Sequence, residues 1–204
     1  TGVYYAELSK AIEEASDNDT IILVANIDIA DVKVDTLDGR YNTLFRVADK
    51  TVTIDLNGKS ITGEYSGNSM LVGVFSTENN GHLTLKDSTA NEYGIGNSAV
   101  NISANSTVYS LIANYDPTST IVIESGNYLL DKAGDSLVYS GGNEGILVKG
   151  GYFELGNVGT GSNGMPWIFN VLGRNDAHTT VIGGTYNAPI HQQYWVAEVY
   201  IPYQ

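Results

Sequence analysis

Apolar residues in this chain fall in short alternating runs, and the runs recur. Within residues 120–128, Ile121 and Ile123 alternate with polar neighbours, and Gly126 stands two places before Tyr128. Alternation with a period of two is the mark of a strand with one face buried. With Tyr128 as the zero position, the apolar pair lies seven and five places earlier. The same frame ends on Phe153 with Ile146, Val148 and Gly151, and on Tyr186 with Thr179, Val181 and Gly184. It ends on Ile61 with Ile54 and Leu56, Gly58 coming one place early, and a weaker copy sets Leu83 and Leu85 before Ala90. Residues five before zero, Leu56, Leu85, Ile123, Val148 and Val181, mark steps of 29, 38, 25 and 33.

Ahead of each copy runs a second apolar stretch, at 44–47, 70–75, 108–113, 136–139 and 167–172. A unit of roughly 25 to 35 residues with two or three short strands and Gly or Asn at its corners is the signature of a stacked solenoid. Stacking predicts that Leu56, Ile123, Val148 and Val181 share one interior column and that Tyr128, Phe153 and Tyr186 stack in the core. Near the start, Leu8, Ala11, Ile12 and Ala15 recur at helical spacing, so a short helix is expected to plug the N-terminal opening. The expected layout is a single domain over 1–204: a cap at 1–19, coils over 20–188, and at 189–204 a strand that caps the last coil or pairs with a partner. Residues 87–107, rich in Asn, Ser and Gly, form the longest interruption.

Three pieces of sequence carry a resemblance. Residues 7–15 followed by 19–23 look like an opening helix and first strand, residues 50–62 like a first full coil, and the Gly-Gly-x-aromatic copies at 150–153 and 183–186 like later coils. Together they resemble the right-handed parallel β-helix of the pectate-lyase-like superfamily, in the form found in large secreted or surface proteins of anaerobic and gut bacteria. The closing stretch, 194–200, resembles the exit strand of such domains, with Val199 where Gly is more usual. The resemblance implies an all-β solenoid of about five coils. It implies no single activity, because one such fold hosts lyases, hydrolases, adhesins, phage spikes and inert modules.

Composition narrows the partners. A net charge of −13 disfavours nucleic acid and anionic lipid surfaces. The same surplus keeps an edge-rich β protein soluble, and it leaves calcium as the one ion worth considering. There is no cysteine, hence no disulfide and no thiolate metal site. No stretch has the length and apolarity of a membrane span. The chain opens at Thr1 without a signal-peptide pattern, so a leader has been removed or this is one module of a longer protein. An extracellular or cell-surface setting follows from the resemblance.

Chemistry-bearing patterns are few. Asp28, Asp31, Asp35 and Asp38 lie near Arg40 and Arg46, a cluster with the ingredients of a polysaccharide lyase: carboxylates for calcium and a basic group for proton abstraction. Their spacing follows no calcium-loop motif, and a charged solvated loop accounts for them equally. The Asp17-Asn18-Asp19 run reads as a turn rather than a ligand set. His82, His178 and His191 match no hydrolase, zinc or nucleophile motif. No catalytic or metal-ligating residue is therefore assigned. Candidate glycan or partner contacts are the aromatic residues Trp167, Tyr194, Trp195 and Tyr200, since rings beside loops offer platforms for sugars. The strand at 194–203, apolar on both faces, and the ends of the coils are the candidate sites of self-association. The leading expectation is a non-catalytic extracellular structural, assembly or adhesion module, self-associating into a filament or surface layer or touching glycans. The alternative is a lyase or glycoside hydrolase acting on an acidic polysaccharide.

Overall fold

The structure is a computed structural model and describes residues 2–37, 41–67, 69–104, 108–141, 145–159, 166–171 and 178–190. One helix, α1 (Leu8–Glu14), precedes β1 (Asp19–Ile22), β2 (Ile27–Asp28), a 3-10 turn (Ile29–Asp31) and β3 (Asp35–Leu37). A cycle of three then begins with β4 (Tyr41–Ala48), β5 (Thr51–Asp55) and β6 (Ser60–Tyr65), and repeats in β7 (Leu71–Glu78), β8 (His82–Lys86) and β9 (Ala99–Ala104). It recurs in β10 (Ile112–Asn114), β11 (Thr120–Ile123) and β12 (Asn127–Leu130), and again in β13 (Ser136–Ser140), β14 (Ile146–Val148) and β15 (Tyr152–Leu155). The last round is β16 (Trp167–Val171), β17 (Thr179–Val181) and β18 (Thr185–Tyr186).

From β4 onward each strand pairs with the strand three places further along the chain. Three six-stranded sheets result: β1-β5-β8-β11-β14-β17, β2-β6-β9-β12-β15-β18 and β3-β4-β7-β10-β13-β16. The pairing is parallel apart from the β3–β4 hairpin. The plan is all-β, largely parallel and compatible with a parallel β-helix. Both predicted strand families are present, the marker strands in the first sheet and the second apolar runs in the third.

Register refines the sequence frame. In the first sheet Ile21, Ile54, Leu85, Ile123, Val148 and Val181 pair in succession. Ile54, and not Leu56, thus occupies the marker column in the copy that ends on Ile61. Ile61 lies seven places after Ile54, two more than separate Ile123 from Tyr128, so counting five back from Ile61 falls beyond the strand. Leu56 is still fully buried. In the second sheet the zero-position column runs Ile27, Ile61, Val100, Tyr128, Phe153 and Tyr186. Val100 replaces the expected Ala90, because the interruption closes at Ser98 and β9 follows inside the stretch read as loop.

The interior follows from this register. Tyr128 and Phe153 stack at 5.4 Å between ring centroids, and Phe153 and Tyr186 at 5.2 Å. Burial pushes the pKa of the Tyr128 and Tyr186 hydroxyls above the ordinary tyrosine value, and both donate, to the Ser125 and Gly183 carbonyls. Gly126, Gly151 and Gly184, each two places before an aromatic residue, have φ of 114°, 115° and 108°, a region that side chains rarely tolerate. In the third sheet the buried residue pairs 44/45, 74/75, 111/112, 137/138 and 168/169 thicken the core.

The N-terminal helix packs on β4 and buries Leu8, Ala11 and Ile12, as its spacing predicts. Its last carbonyls lack basic neighbours on the helix itself. Lys50 supplies them instead, its Nζ donating to Ile12, Glu13 and Ala15 at 3.1, 2.8 and 2.9 Å. The 17–19 run is a turn: Asn18 has φ of 67°, Asp17 accepts from the Thr51 N–H, and Asp19 accepts from the Ser16 N–H. Among the described residues no helix is long and apolar enough to cross a membrane. From residue 191 on, the predicted closing strand lies outside the described residues.

Candidate functional site

Two places gather functional side chains. The first is the charged cluster at 28–46. Asp28 caps the 3-10 turn by accepting from the Ala30 N–H at 3.0 Å, and Asp31 is exposed. Arg46 donates from Nε to Asp35 at 2.9 Å and from a terminal nitrogen to Glu78. Burial opposes its charge, but the bonds to Asp35 and Glu78 prevail and hold the guanidinium above its ordinary range. A general base needs the opposite shift, toward neutrality. Asp38 and Arg40 lie outside the described residues. A cavity of about 570 Å³ adjoins the cluster, between α1, residues 33–35 and the β4 strand. Lys10 and Lys50, on its wall, are engaged by Glu13 and Glu14 and by the helix carbonyls. Among the described residues no group of three or more His, Cys, Asp or Glu side chains is placed to hold a metal ion.

The second place is the outer face of the third sheet. Phe45, Phe75, Ile112, Val138 and Phe169 pair in succession and are buried. Alternation therefore turns their successors, Arg46, Ser76, Ala113, Tyr139 and Asn170, to the other side of the sheet. Ser76 and Ala113 are small, and both are completely buried although they face outward. Tyrosine rings lie over this face. Tyr41 stacks on Tyr115 at 5.7 Å, Tyr115 meets Tyr139 at 5.2 Å, and Tyr109 meets Tyr139 edge-on at 6.0 Å. Such contacts add about 0.5–1.5 kcal/mol per pair beyond burial.

A buried carboxylate anchors one end of the row. Asp135, 3% exposed, accepts from the Tyr109 hydroxyl at 3.2 Å, from Ser136 Oγ at 3.0 Å, and from Asn170 Nδ2 at 2.9 and 3.0 Å. Burial, then Asp135, pushes the Tyr109 hydroxyl up to about 12. Burial with the nearby Tyr139, Tyr109 and Asp135 raises Tyr115 further. Both hydroxyls stay protonated at neutral pH, and that of Tyr109 is committed as a donor to Asp135. Tyr41 is the open member, 37% exposed, while Tyr139 is 8% exposed.

Of the aromatic contacts expected from sequence, Trp167 is half-buried at the start of β16, the strand that carries Asn170, and its N–H donates to the Asp135 carbonyl at 3.1 Å. Tyr194, Trp195 and Tyr200 lie outside the described residues. Sequence reasoning gave Tyr41, Tyr109, Tyr115, Tyr139 and Asp135 no functional assignment, because no motif joins them. The available signal was tyrosine at the margins of the second apolar runs, a position that register turns toward solvent. His82 Nδ1 bonds Thr120 Oγ1 at 2.9 Å, the His178 carbonyl accepts from Ile146 N–H and Ser140 Oγ, and His191 is outside the described residues. No family model, curated protein or solved structure matches this chain.

Proposed function

We propose that this chain is a right-handed parallel β-helix of about five coils, of pectate-lyase-like plan, that serves as a non-catalytic structural or adhesion module outside the cell. The cyclic strand order supports the architecture. The observation that carries the non-catalytic reading is Arg46: of the cluster's two arginines it is the described one, and it is bound by two carboxylates and held protonated. Elimination from a uronate needs a side chain that can take a proton, and this one is shifted the wrong way.

The decisive experiment incubates the intact protein with polygalacturonate and with alginate, calcium present, and follows ultraviolet absorbance of unsaturated product. We expect no rise. A rise that disappears in Arg46→Ala would establish the lyase instead. Stacked coils need no disulfide staple, so a chain without cysteine fits an oxidising compartment as well as a reducing one.

A further inference from the structure

We propose that the tyrosine row on the outer face of the third sheet, at Tyr41, binds an uncharged pyranose unit of a glycan. The ring of Tyr41 is braced on one side by Tyr115, which is itself braced by Tyr139, so it is held in place before any ligand arrives. The residue is 37% exposed. On the same outer face lie the Arg46 guanidinium and the Asp35 carboxylate, joined at 2.9 Å and both partly exposed, a donor and an acceptor for sugar hydroxyls. An apolar platform with a few converging polar groups is the general form of a small-ligand site.

Size argues against a protein on this face. A stable interface takes about 800 Å² from each partner, whereas Tyr41 alone of the four rings is well exposed. Charge argues against an acidic sugar. Asp35, Glu78 and Asp135 border the row, with Arg46 already bound to the first two, and the chain carries a net charge of −13. A uronate would meet repulsion where a neutral hexose or N-acetylhexosamine would not.

This inference rests on the non-catalytic reading above, and the two fail differently. The test titrates the full chain with cellopentaose, with N-acetylchitopentaose and with trigalacturonate, by calorimetry and by NMR of the tyrosine rings. One of the uncharged oligomers is expected to bind saturably, and trigalacturonate more weakly. Tyr41→Ala is expected to weaken binding about tenfold, as loss of a central aromatic anchor does. Tyr41→Phe, which keeps the ring, should stay within about threefold of wild type, and Tyr93→Ala, an exposed ring elsewhere, should match it. Three results would overturn the site: no saturable binding of either uncharged oligomer, equal losses in Tyr41→Ala and Tyr93→Ala, or a preference for trigalacturonate. Cleavage of a bound oligomer would sink the non-catalytic reading and leave the site standing.

Discussion

Asp87 shows how a carboxylate that looks available in the sequence is committed in the fold. It is 3% exposed and accepts from the N–H groups of Gly58, Thr89 and Ser98, each at 2.9 Å, and from Thr89 Oγ1 at 2.7 Å. It thereby pins both ends of the loop at residues 88–97 to the corner of the preceding round. Burial alone would raise its pKa, but the bonds from Ser98 and Thr89 outweigh that and bring it down to about 2. The folded value lies below the unfolded one of about 3.9, so the folded state favours the ionised form. Its contribution is complete above that unfolded value and is lost as pH falls through about 2. Thermal melts between pH 5 and 2 should therefore show wild type losing stability that Asp87→Asn lacks from the start. At neutral pH Asp87→Ala should cost about 3 kcal/mol, while exposed Asp31→Asn should leave the melt unchanged. Sequence alone set Asp31 in the charged cluster and left Asp87 unmarked at the head of the interruption, since burial and backbone donors have no local signature.

At the scale of the element, the marker strands were readable because one buried face forces alternation, and because Gly126, Gly151 and Gly184 repeat two places before a ring. Gly151 illustrates the constraint. Its φ is 115°, and a Cβ there would come within 2.9 Å of the Gly126 carbonyl oxygen. Gly151→Ala is expected to cost about 1–3 kcal/mol and to lower the melting temperature by roughly 3–10 °C. Gly2→Ala, where nothing lies within 4 Å, should change nothing. What escaped the pattern was corner length. Corners carry no face to bury, so the additional residues after Ile54 and the loop before β9 shifted the frame by two places in one copy and by ten in the other. The tyrosine row escaped for a related reason: its members are spread over three rounds, Tyr41 on β4, Tyr109 and Tyr115 flanking β10 and Tyr139 on β13, and only register sets them side by side.

For the molecule as a whole, apolar side chains left exposed gather at the N-terminal end of the described residues. The first and second sheets end there in β1 and β2, whose outer edges face no described strand. Five of the ten large apolar side chains left exposed in the described residues, Val3, Tyr4, Tyr5, Ile22 and Val24, fall in the first 24 positions. Strand edges of this kind invite pairing with another chain. Light scattering over a concentration series is expected to show apparent mass rising, and rising further with salt, because a net charge of −13 on each copy opposes association until it is screened. A mass fixed at that of one chain throughout would rule this out. The register itself carries another consequence. Since Tyr128, Phe153 and Tyr186 occupy equivalent places in consecutive rounds, any one round could be duplicated or lost and its neighbours would meet surfaces they already fit. Evolution can therefore adjust the reach of such a protein by increments of about 4.8 Å, the spacing of paired strands, with no redesign of what lies inside.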